Sequence, residues 1–336
     1  MRKIAQIKSV DAIEPIENAD AIEVARVGGW RVVTQKGRFT AGEPALFLEV
    51  DSFLPETVDE FAEFVARSSR NAISPITNET VRGHVLKTIK LRGVISQGIL
   101  MKPRELGVAE TATQDEVDAR METLGVFKWE PPLPAGGQAT GAFPSAARKT
   151  DSERVQNLTD EFLQSLNPSE WIATEKVDGT SSTFLMTVEG LVTASRNWRV
   201  GPDSLQGAMA DRLEFANALP VGAVVQGEIF GEGVQGNPLK ISGTRLAVFF
   251  AELPTDTTPE TMKLLASLSV PSLDWSLPTS VDEALEQVNG MKSHFNPKVL
   301  AEGVVWWNRF STVFQELGDR SNFKAINNKF LLKLKE

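Results

Sequence analysis

The chain has 336 residues and a formal charge of −9, with 35 Lys+Arg against 44 Asp+Glu, no Cys, no Tyr and only two His. These counts exclude a disulfide framework, a thiolate or phenolate nucleophile, an Fe–S cluster and a Cys-ligated zinc. His84 and His294 are too far apart in sequence to suggest a His-rich metal site or a serine-hydrolase triad, and a structural or surface role is expected for both, so covalent catalysis falls to Ser, Thr, Lys or a carboxylate.

In chain order, the first ~105 residues read as β structure. Short apolar or alternating runs (Ala21–Val27, Trp30–Thr34, Ala45–Leu48, Val85–Leu91) are separated by the turn signals Gly28-Gly29, Lys36-Gly37 and Ala41-Gly42. That spacing favours a small barrel or sandwich. An acidic helix is expected over Asp115–Leu124, followed by a linker in the Pro/Gly-rich stretch 131–145. A helix over Glu153–Leu166 introduces a second, mixed domain. Strands are expected there at Trp171–Glu175, Ser182–Val188, Leu191–Ser195, Ala223–Ile229, Arg245–Ala251 and Gly303–Trp307, and helices at Leu205–Ala218, Pro259–Leu268 and Val281–Asn289. Hydrophobic content of 41% and charged content of 24% suit a globular fold, and the length suits two domains. No uncharged apolar run approaches the ~18–20 residues of a membrane span. The N-terminal residues break into charges before a signal-peptide core forms, so a cytoplasmic protein is expected.

Charge is unevenly spread. Between Thr80 and Arg104 there are six cations and no carboxylate, and from Arg320 to Lys335 there are five cations and no carboxylate, whereas Ala251–Gly290 holds seven acids and one lysine. Each basic segment alone reads better as a solvated face. Together they fit a phosphate-rich ligand engaged at one side of an acidic body.

The stretch Trp171-Ile-Ala-Thr-Glu-Lys-Val-Asp-Gly-Thr180 carries the chemistry. A strand-like run delivers Lys176 into an Asp-Gly turn. Desolvation and neighbouring cations or a metal would lower its pKa and make the amine a nucleophile. Asp178 would hold the local geometry, and Gly179 would give positive φ or room for a phosphate. Taken alone, KxDG is better read as a β-turn with a surface lysine.

Further residues follow in order: Thr193-Ala-Ser-Arg-Asn197, Gln226-Gly-Glu-Ile-Phe-Gly231, Leu246-Ala-Val-Phe-Phe250, Ala301-Glu-Gly-Val-Val305 and Asn322-Phe-Lys-Ala-Ile-Asn-Asn-Lys-Phe330. With EKVDGTS they resemble the ordered motifs of the covalent nucleotidyltransferase superfamily, in particular its ATP-dependent RNA ligases. The resemblance implies a lysyl–AMP on Lys176 and an ATP/AMP site of Glu175, Lys176, Asp178, Gly179, Arg196, Glu228, Phe249, Glu302, Lys324 and Lys329. It assigns Arg196 to the RNA 5′-phosphate or AMP, Phe249 to adenine, Glu302 and Glu228 to Mn²⁺ or Mg²⁺, and Lys324 to the α-phosphate. The family's usual second lysine is replaced at Ile326, leaving Lys329 as the substitute, and the cation expected soon after the fourth motif is delayed to Arg309.

The chain ends 12 residues after Lys324, without the C-terminal OB domain of DNA ligases and capping enzymes. Instead Ile16–Glu23, Gly29–Val33, Val50–Pro55 and Leu91–Gly98 resemble the N-terminal OB domain of RNA ligases typified by the Naegleria and Deinococcus enzymes. The expectation is an α+β chain: an OB-fold β-barrel (1–125), a linker (126–150), and an antiparallel-sheet nucleotidyltransferase domain (151–336) unrelated to ATP-grasp. The implied activity is ATP-dependent sealing of 3′-OH and 5′-phosphate ends in RNA or an RNA-containing duplex, in a repair role. Lys87, Lys90 and Arg92 are the expected nucleic-acid contacts, with no membrane partner and a monomeric state. A GTP-dependent guanylyltransferase and a non-catalytic RNA-binding homologue are the alternatives.

Overall fold

The computed structural model describes residues 3–130 and 139–333; residues 131–138 of the expected linker, and Lys335 of the second basic segment, lie outside the described residues. The N-terminal part holds twelve strands: β1 (Ala5–Ser9), β2 (Ala12–Pro15), β3 (Ile22–Val27), β4 (Trp30–Gln35), β5 (Pro44–Leu48), β6 (Ser52–Pro55), β7 (Arg70–Ile73), β8 (Thr80–Val85), β9 (Ile89–Leu91), β10 (Val94–Ser96), β11 (Ile99–Met101) and β12 (Phe127–Lys128). They pair as β1-β5-β11, β2-β3-β4, β9-β10 and β12-β6-β8-β7. Period-two burial explains β4, whose Trp30, Val32 and Thr34 point inward while Arg31 and Gln35 stay in water. Trp30 packs on Phe47 with ring centroids 5.3 Å apart, and each buried aromatic contributes roughly 2–3 kcal/mol. Two helices, α1 (Ala62–Arg67) and α2 (Gln114–Thr123), complete this part; a Thr113–Glu116 capping box starts α2.

The second part is two antiparallel sheets in mutual contact. The first runs β13 (Ala139–Ala142), β18 (Trp198–Val200), β17 (Gly190–Ala194), β16 (Thr180–Thr187), β19 (Val224–Gly231), β20 (Thr244–Glu252). The second runs β14 (Glu153–Arg154), β23 (Asn322–Ile326), β22 (Gly303–Asn308), β15 (Trp171–Lys176), β21 (Ser272–Leu273), with only β14–β23 parallel. Helices α4 (Leu205–Arg212), α5 (Phe215–Ala218) and α6 (Pro259–Leu268) pack on the first sheet through Met209, Phe215 and Leu265. Helices α3 (Asp160–Ser165) and α7 (Val281–Val288) cover the second through Leu163, Val281 and Val288, and α8 (Asn328–Lys333) closes the described chain. A smaller cluster of Val177, Phe230, Ala247 and Val270 lies where the sheets meet. The mixed α and β content is the expected α+β class.

Several expected elements differ. Val85–Leu91 is not one strand: the chain leaves β8 at Val85, buries Leu86 and restarts at Ile89. The helix expected over Glu153–Leu166 shortens to α3, because Glu153 and Arg154 pair with β23 and the Thr159 hydroxyl caps a later start. The helix expected over Leu205–Ala218 breaks at Glu214, which sits at φ 52°. Within the expected linker, Phe127–Lys128 pairs with β6 and Ala139–Ala142 pairs with β18.

The two parts meet through a polar seam. Gly29 N–H donates to the Gln156 carbonyl at 3.1 Å, and Trp30 Nε1 donates to Asn157 Oδ1 at 2.8 Å. A Cβ on Gly29 would lie 2.8 Å from Gln156 Cα, so only glycine permits this approach. Arg154, 6% exposed, inserts beside Glu49 at 3.3 Å and Asp51 at 3.5 Å. Gln97 Nε2 donates to Asn328 Oδ1 at 3.1 Å and to Thr88 Oγ1 at 3.1 Å. The Asn328 contact sets the chain leaving the basic β9–β10 hairpin against α8, which follows the strand of Lys324.

Candidate active site

Lys176 is the last residue of β15, and Thr180 opens β16 in the other sheet, so Lys-Val-Asp-Gly is the crossover between sheets. Val177, 5% exposed, plugs the crossover into the cluster at the sheet junction. Gly179 is not at positive φ; a Cβ there would lie 2.2 Å from the Ile229 carbonyl oxygen and 3.0 Å from Glu228 Cγ. The expectation of a positive-φ turn is therefore corrected: glycine is needed because β19 comes so close.

Across this seam β22 pairs Gly303 with Lys176, which sets Glu302 beside the amine, and Lys176 Nζ donates to Glu302 Oε2 at 2.6 Å. Glu228 arrives from β19, where it pairs with Ser181. Burial alone would lower the Lys176 pKa, but Glu302, Glu228 and Asp178 carry it above the ordinary lysine value. Without a metal the shift is upward, because carboxylates rather than cations surround the amine. Burial first, then Glu302, raises Asp178 to about 7 against the opposing pull of Lys176. Burial likewise raises Glu228 to about 8, with Lys176 and Arg196 opposing and Glu302 and Asp178 adding to the rise.

Among the described residues, no group of three or more acidic or histidine side chains is arranged to hold a metal ion by itself. Burial first, with neighbouring carboxylates adding to it, favours the protonated forms of Glu228 and Asp178, and a divalent cation beside them would favour the ionised forms. Glu302 and Glu228 offer hard oxygens, which suits an ion that takes one or two carboxylates and fills its shell with phosphate oxygens and water.

Glu175, beside Lys176, is 1% exposed. Its Oε2 accepts from His294 N at 2.8 Å, while Oε1 is buried without a hydrogen-bond partner. Burial raises its pKa against the Ser293 and His294 contacts. Phe249 is the extra residue of a β-bulge: Gln226 faces Phe250, Gly227 faces Val248, and Phe249 is left between. Its ring stacks on Trp307, with centroids 5.7 Å apart at 16°.

Arg196 is gripped by Asp151 and, at 3.2 Å, by Glu130, while the Asn197 side chain donates to Glu130. Burial would raise Asp151, but Lys128, Arg196, Lys324 and Arg320 overcome it and bring the carboxyl down to about 2. Lys324 lies on β23 between Arg154 of β14 and Val305 of β22. Ile326 is buried at 3% exposure, which fits the loss of a lysine there. Lys329, on α8, lies against the Gly290 turn, where a Cβ would meet its Nζ at 3.4 Å. Lys87, Lys90 and Arg92 are exposed on and beside the β9–β10 hairpin.

Sequence reasoning missed Asn327, Glu130, Asp151 and Trp307. Asn327 is fully buried; its N–H donates to the Glu302 carbonyl at 2.8 Å and its Nδ2 to the Ala301 carbonyl at 3.1 Å, while its Oδ1 accepts from Lys329 N at 3.1 Å. Its signal in the sequence was its place inside the fifth motif, between Ile326 and Lys329.

Two family models match the chain: an OB-fold domain over residues 4–103 and RNA ligase over residues 169–326. No curated protein matches the sequence. Among solved structures, Naegleria gruberi RNA ligase with pyrophosphate is 31% identical, covering 100% of this chain and 99% of its own, with a TM-score of 0.81. A variant of the same ligase with AMP and Mn is 31% identical over 98% of both chains, with a TM-score of 0.79. Another variant, with ATP and Mn, is 31% identical over 99% of this chain and 98% of its own, with a TM-score of 0.78.

Proposed function

The chain belongs to the RNA ligase family, with an OB-fold domain ahead of its ligase domain, and from that premise we propose that it seals RNA 3′-OH and 5′-phosphate ends at the expense of ATP, through a lysyl–AMP on Lys176. The observation that carries this reading is the seam where Lys176 meets Glu302 at 2.6 Å with Glu228 and Asp178 close enough to set its charge.

In the first transfer the Lys176 amine attacks the α-phosphorus of ATP. A P–N bond forms, the α–β bridge breaks and pyrophosphate leaves. The proton lost from Nζ has Glu302 Oε2 as its acceptor within hydrogen-bond reach. In the second transfer an RNA 5′-phosphate oxygen attacks the same phosphorus, the P–N bond breaks, Lys176 regains its proton and a 5′–5′ pyrophosphate cap results. In the third the RNA 3′-OH attacks the capped phosphate, AMP leaves and the hydroxyl proton passes to solvent.

Charge gathers on phosphate oxygens in each transfer, so fixed cations dominate the stabilisation. We assign Lys324 to the α-phosphate, Lys329 as the second cation on the following helix, and Arg196 to the RNA 5′-phosphate once Asp151 and Glu130 release it. Glu302 and Glu228 would hold Mn²⁺ or Mg²⁺, which supplies further positive charge at the phosphate. Phe249, one face already on Trp307, offers the other to adenine. The unpartnered Glu175 Oε1 is a buried acceptor suited to the adenine amino group. On the OB side, Lys87, Lys90 and Arg92 meet the RNA backbone.

The test is a panel of nicked duplexes with RNA on the 3′-OH side, the 5′-phosphate side, both or neither, given ATP and Mn²⁺. Sealing that needs RNA at the ends, with AMP-capped 5′ ends trapped early, is expected. Sealing of all-DNA nicks alone, or none with any substrate, would remove the reading.

A further inference from the structure

A second basic surface lies on the N-terminal domain, away from Lys176. The chain after β4 (Lys36, Arg38) and the chain after β11 (Lys102, Arg104) line a concavity of about 350 Å³ together with Gln35, Gly37 and Glu105. Two of its cations are preset. Arg38 is held by Glu105 at 2.6 Å, Lys102 pairs with Glu43, and both lie over the Phe39 ring, at 5.8 and 4.5 Å. The other two, Lys36 and Arg104, are exposed. Four cations stand against three carboxylates, Glu105, Glu43 and Glu23, whose Oε1 accepts from Gly37 N at 2.8 Å, so the concavity keeps a net positive charge on a chain whose total is −9. Phe39 is 2% exposed beneath its cations, so no ring is presented for a base to stack on. Such a surface reads charge, not sequence.

Its place in the fold completes the picture. Gln97 N donates to the Arg31 carbonyl and Val33 N donates to Ser96 Oγ, both at 2.9 Å, so β10 runs back along β4 as β4 advances. The Arg92-Gly93 turn of the β9–β10 hairpin therefore lies toward the Gln35 end of β4, the end where the concavity opens. The opposite end of β4, Trp30, docks on the ligase domain. The Arg92-Gly93 turn and the concavity thus share the end of β4 that lies five residues, about 17 Å, from the domain seam.

Resting on the reading of RNA as the ligand, we infer that the Lys36–Arg38–Lys102–Arg104 concavity is a distal phosphate subsite that grips the backbone of a duplex arm away from the break. Its contacts are sequence-independent and additional to those of Lys87, Lys90 and Arg92.

The test compares wild type with Lys36→Gln/Arg104→Gln on nicked RNA duplexes with short and long arms, across a salt series. Lys3→Gln/Lys263→Gln serves as a charge-matched control, and enzyme–AMP formation, which uses no RNA, checks folding. On the long-armed duplex the Lys36/Arg104 variant should bind on the order of tenfold more weakly at low salt, with the log–log salt slope reduced by about 1–2. On the short-armed duplex it should match wild type. Equal affinity and slope on the long-armed duplex would overturn the subsite, as would an equal loss on both duplexes or the same loss in the control. If wild type itself bound neither duplex, the RNA reading would fall with it; wild-type binding that the variant fully retains removes the subsite alone.

Discussion

The charge state of single groups decides what the seam can do. Lys176 is held protonated by its acidic neighbours, so the neutral amine becomes scarcer as pH falls. Enzyme–AMP formation should therefore rise with pH through the neutral and alkaline range, and less steeply as Mn²⁺ occupies Glu302 and Glu228, read as initial rates at saturating ATP over a Mn²⁺ series. Glu228, with a pKa of about 8, and Asp178, about 7, bind protons in the folded state that the unfolded chain releases near its ordinary carboxyl values. The native state then holds more protons than the unfolded one from about pH 4 to 8, and these two groups make metal-free stability fall as pH rises through that window. Glu228→Gln should flatten this slope in melting curves and raise stability at pH 8 relative to wild type. An unchanged slope would show that Glu228 does not carry the effect. Asp151 acts with the opposite sign: depressed to about 2, it adds stability above its ordinary pKa that is lost as pH falls toward 2.

Elements place these groups, and the crossover from β15 to β16 is the most exacting. A Cβ on Gly179 would meet the Ile229 carbonyl at 2.2 Å, backbone against backbone, with no flexible side chain to yield. Gly179→Ala should cost about 1–3 kcal/mol or more in denaturant unfolding and remove enzyme–AMP formation by displacing Lys176; a stable, active variant would refute the close packing. Much of this element was legible in the chain. An apolar run ending in Lys-Val-Asp-Gly gave β15, and the strand bearing Glu228 and the strand that Glu302 leads into followed from their own apolar runs. The strand bearing Lys324 was not expected, because Asn322–Ile326 is short and owes its conformation to β22 and β14. The bulge that singles out Phe249 was equally hidden, since an unpaired residue has no mark in a sequence until its partner strand is aligned. The grip of Glu130 and Asp151 on Arg196 joins residues 45 or more positions apart, which no local pattern records.

At the scale of the whole molecule, the −9 total conceals cations gathered around the β9–β10 hairpin and the outer end of β4. Arg154 fixes the domain seam by sitting buried between Glu49 and Asp51 with its guanidinium 5.7 Å from the Trp30 ring. Removing one partner of a buried pair strands the other, at a cost of about 3–5 kcal/mol. Arg154→Ala should lower stability by that order and reduce nick sealing far more than enzyme–AMP formation, because sealing alone needs the OB domain held beside Lys324. Equal losses in the two assays would mean that the seam serves folding only. The central claim, that chemistry runs through Lys176, is tested most directly by intact-protein mass measurement after incubation with ATP and Mn²⁺. A single added AMP that maps to Lys176 and disappears in Lys176→Ala is the expected result; an adduct on another residue, or one that persists in Lys176→Ala, would contradict it.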